Sequence, residues 1–430
     1  MLSRPETDLV RRDGALPGLA TVLDPEALLA ALAPAVAPAD VRAASVRYVR
    51  YRPHTSCLVA YQIDLGATAP QAVDLHAKVH RLDEPEKLDK ARRRAHVPGR
   101  LGPGLVVLED PAIVVWVFPN DVRLKTMRRL ADRDACAGLL RRMLPRSPDL
   151  WAGTLETVRY KPERRYVARL DAAGEPRAVL KVHSAQRYRR AAASAAAFHS
   201  GGPLRVPQLL GRSDSHALAV LEWVPGRPLG AALAHGAAAL DAVTAVGAAL
   251  GALHGQAGAD LPTSEPRAEA GGLLALAAEV GFLCPDVARS AQELAGRLAG
   301  RLAETGPERC PIHGDFSAEQ VVFGDGGVAI LDLDRAALGD PAADLGTFIA
   351  HLERDALRGS FSAERVLALQ AALLEGYRAG RGRPLPPRVA LYTAVALLRI
   401  APEPFSAREP DWPQRIAAIV GRAAAVAATA

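Results

Sequence analysis

The run His313-Gly-Asp-Phe-Ser-Ala-Glu-Gln320, followed by Leu331-Asp-Leu-Asp-Arg335 and Gly339-Asp-Pro-Ala-Ala-Asp344, contains the residues best suited to chemistry. It places an acid in a tight loop, a side-chain amide five residues later, and a second acid after the apolar run Val328–Leu331. Phosphoryl transfer from a nucleotide uses such parts: a carboxylate to orient the attacking hydroxyl, and oxygen ligands to hold Mg²⁺ on the phosphates. Each residue also has a plain structural reading. Asp315 can cap a turn with His313, Gln320 can satisfy loop backbone, and Asp332 can be a solvated acid at a strand end. Their common order and spacing favour the chemical reading.

The elements that must position these groups follow from the rest of the chain. Its 430 residues are enough for two or three domains, and 49% hydrophobic with 23% charged residues is ordinary for a folded protein. No apolar run approaches the ~20 residues of a membrane span. The acidic, non-apolar start is not a secretory signal. Cys57, Cys136, Cys284 and Cys310 are scattered, which predicts neither a zinc site nor a disulfide framework and fits a reducing cytoplasm. The net charge of +6 is spread along the chain without a basic, aromatic-interleaved block, so no nucleic-acid partner is expected. Arginine supplies most of that charge; the lysines are Lys78, Lys87, Lys90, Lys125, Lys161 and Lys181.

Pro25–Ala37 reads as a helix, and alternating stretches run over Val46–Ile63 and Leu155–Leu170. The two alternating stretches resemble each other. Tyr51-Arg-Pro-His-Thr-Ser aligns with Tyr160-Lys-Pro-Glu-Arg-Arg, and each is followed by a strand ending in Lys-Val-His, at Lys78 and Lys181. A charged helical segment and two further strands follow in both, which indicates an approximate internal duplication. Arg141–Pro148 is the expected boundary between the copies. Ala231–His254 and Leu273–Ala303 read as helical, Gly324–Gly327 as a hairpin turn, and Pro341 onward as helices again. The expected fold class is α+β.

From Trp151 onward, and most strongly between His313 and Asp344, the chain resembles the aminoglycoside phosphotransferase-type small-molecule kinases. The resemblance implies a bilobal protein-kinase-like fold, with a β-rich N-lobe at 149–226, a helical C-lobe at 227–430, and an N-lobe-like duplicate at 1–148. It makes Asp315 the catalytic base, Gln320 and Asp332 the magnesium ligands, and Asp334, with Arg335, an assistant for a second metal or the γ-phosphate. Lys181 becomes the strand lysine on the nucleotide phosphates, with Arg164 or Arg165 beside it. Leu221-Glu-Trp-Val-Pro-Gly226 resembles the hinge that pairs with adenine, which assigns Glu222 and Val224 to nucleotide binding. Asp340 and Asp344 are expected to turn the chain and hold the catalytic loop.

Two departures stand out. Gln320 occupies a place where the family usually has Asn, as it does in maltokinase-type relatives. The family's lysine also pairs with a helix glutamate, yet Val182–Ser200 contains no acid, leaving Gln186 or an acid from elsewhere to pair with Lys181. The implied cofactors are ATP, or GTP in its place, and Mg²⁺. The implied partner is a small hydroxylated acceptor: a sugar, an amino sugar or an aminoglycoside-like metabolite. No membrane partner is expected, and the oligomeric state is left unspecified. From Glu353 onward seven acids face eleven arginines, which counts against a polycationic acceptor. Tyr377, Tyr392, Phe405 and Trp412 could stack on a sugar ring, though an aromatic at helical spacing is more often core. The competing reading is a noncatalytic nucleotide-binding protein on a kinase fold.

Overall fold

The computed structural model describes residues 1–36, 41–66, 71–233, 238–258, 260–304, 309–324 and 326–429. β1 (Val41–Arg52), β2 (Ser56–Leu65), β3 (Gln71–Val79), β4 (Leu105–Leu108) and β5 (Ile113–Val117) form a sheet in the order β1-β2-β3-β5-β4. β6 (Thr154–Lys161), β7 (Arg165–Ala172), β8 (Glu175–His183), β10 (Leu209–Ser213) and β11 (Leu218–Glu222) form a second, in the order β6-β7-β8-β11-β10, with the short β9 (Leu204–Arg205) outside it. The two orders are the same, with β1 standing for β6 and β5 for β11.

The match extends to register and to single dihedral angles. Lys78 lies between Leu58 and Val114, as Lys181 lies between Val167 and Ala219. His54 and Glu163, at the tips of the first hairpins, are both left-handed with φ of 57° and 60°. The Tyr51 hydroxyl and the His54 amide donate to Asp13, and the Tyr160 hydroxyl and the Glu163 amide donate in the same way to Asp121.

Helices follow the second sheet, interrupted by β12 (Arg227–Pro228), β13 (Cys310–Ile312), β14 (Val321–Gly324), β15 (Gly327–Ile330) and β16 (Ala337–Gly339). β14 and β15 lie between β12 and β9, while β13 pairs with β16. This is the α+β, bilobal, kinase-like arrangement. The apolar core of the first sheet continues into the helical lobe, joining Leu9, Val59 and Val115 to Leu294, Leu298, Leu397 and Ile416. No helix among the described residues is long and apolar enough to cross a membrane.

Several boundaries differ from the sequence reading, each for a local reason. The first helical run ends at Leu32, because Pro34 has no N–H to continue it; Ala37 lies outside the described residues. Leu273–Ala303 is two helices, Pro266–Leu283 and Ala288–Ala303, divided at Pro285. Ala231–His254 resolves into Leu229–Ala232 and Ala238–His254, with 234–237 outside the description. A turn joins β14 to β15 as expected, although its Asp325 also lies outside it. Arg141 belongs to the helix Arg133–Met143, whose Leu139, Leu140 and Met143 share a core with Leu170, Leu180 and Val220 of the second sheet.

Candidate active site

The loop that follows β13 is fixed by one buried carboxylate. Asp344, in the first turn of helix Ala342–Leu357, accepts from the His313 amide at 2.6 Å, the Gly314 amide at 2.8 Å and His254 Nε2 at 2.9 Å. Burial alone would raise its carboxyl, but the His254 hydrogen bond and charge, together with His313, hold it below the ordinary range. The Tyr377 hydroxyl lies 3.0 Å from His254 Nδ1, on the side of the ring away from Asp344. His313 Nε2 donates to the Leu331 carbonyl at 2.8 Å, tying the loop to the end of β15. Gly314 needs to be glycine: φ is +79°, and a Cβ would sit 2.3 Å from the Arg335 carbonyl oxygen.

That scaffold presents Asp315 at the surface of the loop, where Arg335 Nη1 lies 3.2 Å from its Oδ1. Arg335 and Asp315 are 57% and 46% exposed, so the pair contributes at most about 1 kcal/mol and an incoming hydroxyl can displace it. Gln320 sits at the end of the single helical turn Ala318–Gln320, and its Oε1 accepts from Ser317 Oγ.

The second group is a buried knot of charge. Leu180 and Val182 enter the core of the second sheet, so alternation turns Lys181 to the opposite face. There Lys181 Nζ donates to Asp332 Oδ1 at 2.7 Å and Asp334 Oδ1 at 2.9 Å. Arg165 Nη1 reaches both oxygens of Asp332 at 2.7 Å and Asp334 Oδ2 at 3.1 Å. Burial opposes ionisation of both partners, but their mutual attraction prevails: Lys181 is raised above its ordinary value and Asp332 falls well below its own. Asp332 is left-handed, with φ of 61°, a strained backbone that this knot holds in place.

The missing helix acid is thereby accounted for. Gln186 is exposed and does not pair with Lys181; the acids come from Asp332 and Asp334, which are distant in sequence. Helix Ala185–Ala197 instead offers Arg190, whose guanidinium donates to the carbonyls of Arg335 and Ala336.

Asp315, Gln320, Asp332 and Arg165 open on one cavity of about 810 Å³. Its walls also carry Lys161, Arg335 and His351, and its far side is formed by helix Pro266–Leu283 with Arg399 and Glu403. Lys161 was visible in the sequence only as a retained lysine. Burial, reinforced by Arg159, Arg165 and Arg164, brings its ammonium down to about 8. His351 lay in a run read simply as helix. Burial and Arg354 push its imidazole down to about 4, and its Nδ1 is buried without a partner.

Other expected groups are placed elsewhere. Arg164 does not reach Asp332; its guanidinium lies over the Tyr48 ring at 5.9 Å. The Glu222 carboxylate accepts from Arg205 at 2.6 Å and the Val224 side chain packs with Val322 and Ala329, whereas the expectation for both concerned their backbone groups. Tyr377, Tyr392, Phe405 and Trp412 are only 1–5% exposed. They are core residues and do not form a sugar platform, because helix packing turns them into the two large cores.

The carboxylates of Asp332 and Asp334 and the amide oxygen of Gln320 are the hard oxygen donors that Mg²⁺ takes. No cluster of three or more His, Cys, Asp or Glu among the described residues forms a closed metal cage. Mg²⁺ commonly keeps one or two carboxylates and completes its shell from phosphate and water, and Asp332, Asp334 and Gln320 offer donors of that kind.

A β-rich lobe, a helical lobe and an acid-bearing loop between them define a kinase-like small-molecule phosphotransferase. Residues 157–392 match the model of the phosphotransferase enzyme family (APH), and the chain belongs to that family. No curated protein matches it. Similar solved structures include a macrolide 2'-phosphotransferase from Brachybacterium faecium, 23% identical, covering 67% of this chain and 98% of its own, with a TM-score of 0.43. A choline/ethanolamine kinase family protein from Mesorhizobium loti is 20% identical over 68% of this chain and 94% of its own, with a TM-score of 0.46. Choline kinase from Cryptosporidium parvum is 11% identical over 69% and 95%, with a TM-score of 0.47.

Proposed function

We propose that this chain transfers the γ-phosphoryl group of ATP, with GTP as the alternative donor, to a hydroxyl of a sugar, an amino sugar or an aminoglycoside-like metabolite. The observation that carries the reading is the shared cavity, onto which Asp315, Gln320, Asp332, Lys161 and Arg165 all face. Residues 149–226 and 227–430 act as the two lobes, and 1–148 as an accessory domain.

Asp315 accepts a hydrogen bond from the acceptor hydroxyl and fixes its line of attack. The acceptor oxygen forms the new bond to Pγ while the bond from Pγ to the β,γ-bridging oxygen breaks. The nucleoside diphosphate leaves, and the hydroxyl proton passes to Asp315. Lys181 and Arg165, released from Asp332 and Asp334, turn their charge toward the phosphates. Bound Mg²⁺, held by Asp332, Gln320 and Asp334, would neutralise phosphate charge. Glu222 and Val224 supply hinge backbone to the base.

Asp315, Gln320 and Asp332 on one cavity support catalysis over the noncatalytic reading, which drew on the acid-free helix. The acceptor wall also bears on charge. Glu265, Glu269 and Glu279 line it from a segment that precedes Glu353, so an excess of arginine after that point does not describe the pocket. An amine-bearing acceptor therefore stays within the proposed class.

The test is magnesium-dependent nucleotide consumption by the purified chain across sugars, amino sugars and aminoglycosides, with Asp315→Ala as control. Turnover on one class that disappears in the variant is expected. Turnover that survives Asp315→Ala, or its absence from every class while nucleotide still binds, overturns the reading.

A further inference from the structure

The first sheet carries its own strand lysine, Lys78, at the register position that Lys181 holds in the second. Its company is different. Glu84, near in sequence, binds Lys87 instead. Lys78 Nζ donates at 2.8 Å to Glu163 Oε1, which belongs to the tip of the β6–β7 hairpin. Glu163 is 4% exposed. Its other oxygen accepts from Arg50 Nη2, Arg50 Nη1 donates to the Pro162 carbonyl at 3.4 Å, and the Glu163 amide donates to Asp121 Oδ2 at 2.8 Å. Three side chains of the first unit thus converge on one turn of the second.

That turn carries Lys161 and Arg165, two of the cations that line the phosphoryl-transfer cavity. Lys161 and Arg164 flank Glu163 and both lie over the Tyr48 ring of β1, at 5.7 and 5.9 Å. Arg165 completes the turn on Asp332. Closely spaced cations repel one another and need an external anchor to keep a common direction. Glu163 supplies it by pointing its carboxylate away from them into the first sheet. Although burial opposes it, Lys78 and Arg50 bring the Glu163 carboxyl down to about 2, so the anchor is ionic throughout the neutral range.

The first unit also grips the other lobe. Arg12 Nη2 donates to the Phe282 and Leu283 carbonyls at 3.1 and 3.2 Å, and the His54 ring meets Phe282 edge-on at 4.7 Å. Phe282 lies in the helix that walls the acceptor side of the cavity. One unit therefore touches both the phosphate-facing hairpin and the acceptor-facing helix.

We propose that Lys78 is a positioning residue for the nucleotide site: the first sheet seats Glu163 on Lys78 and Arg50, and so holds the turn that presents Lys161 and Arg165 to the cavity where the nucleotide phosphates would lie. The inference rests on the phosphoryl-transfer reading. It gives the duplicated lysine a role in which a carboxylate from the other copy takes the place of phosphate.

The experiment is calorimetric titration of the full chain with Mg²⁺-ATP, which needs no acceptor. It is repeated for Lys78→Met, Lys78→Arg and Glu163→Gln, with urea unfolding alongside and KM and kcat where an acceptor is known. Lys78→Met and Glu163→Gln are expected to weaken nucleotide binding and raise its KM about tenfold with kcat nearly unchanged, and Lys78→Arg to recover most of the loss. A pair that serves stability alone would shift unfolding and leave the nucleotide constants at wild-type values, which overturns the proposal. If Lys78→Met does not fold, Glu163→Gln and Lys78→Arg provide the same comparison. A wild-type chain that binds no nucleotide would overturn the phosphoryl-transfer reading as well, so the two failures are distinct.

Discussion

Asp344→Asn removes one charge and keeps the shape, which makes it a sharp test of how the loop that carries Asp315 is held. The carboxylate receives three donors, two on Oδ2 and one on Oδ1. An amide has one accepting oxygen. If its nitrogen replaces Oδ1, it faces the Gly314 N–H; if it replaces Oδ2, it faces both His313 and His254. The smaller loss is one hydrogen bond to a charged acceptor, about 1.5–3 kcal/mol, plus about 1–3 kcal/mol for the part-buried donor left unpaired. The expected destabilisation is therefore about 2.5–6 kcal/mol, read from urea unfolding. The donor lost in that arrangement is Gly314, immediately before Asp315. A displacement of about 1 Å at the reacting centre can cost on the order of 100-fold, so kcat should fall by about that factor. The sign with pH is fixed by the depressed carboxyl. Its contribution is present above the ordinary value of 3.8 and is lost as pH falls through the lower folded value, so wild-type stability declines there and the variant loses that component. An Asn variant within about 1 kcal/mol of wild type and with threefold or less change in turnover would refute the reasoning.

Other consequences can be measured independently. Gly226→Ala forces a side chain to φ of +150° and places Cβ 2.1 Å from the Phe323 carbonyl; a stability loss above about 1 kcal/mol is expected, and a neutral substitution would contradict the hinge geometry. Lys161, brought down to about 8, is strained by its charge at lower pH and is relieved as pH rises toward the unfolded value. Phosphate attraction is lost over the same interval, so the nucleotide KM should rise above pH 8, and Lys161→Met should flatten that limb; parallel profiles would exclude Lys161 from phosphate binding. Phe405→Leu should cost about 1–2 kcal/mol in unfolding while leaving the acceptor KM unchanged, because the ring is core; a shifted acceptor KM would restore it to the site.

Much of the α+β plan was legible because it depends on local pattern. Alternation marked β1, β2, β6 and β7, Pro and Gly marked their ends, and the repeated Tyr-x-Pro and Lys-Val-His groups indicated two copies. The order of acids between His313 and Asp344 was equally local, and so were the groups it offered for phosphoryl transfer. Partners at long range were not legible. Two carboxylates some 150 residues downstream meet Lys181, and Lys78 passes over its sequence neighbours to reach Glu163. A strand's alternation specifies which face a side chain takes but not what another segment brings to that face. The same limit explains the aromatic residues: spacing placed Tyr377 and Trp412 on one side of a helix, and only helix packing determined that this side is core. By itself, the sequence determined which chemical groups were available and their order, since those depend on residue type and spacing. Tertiary structure decided which charges neutralise one another, which acid anchors the loop and which residues wall the cavity, because burial and long-range contact belong to the whole chain.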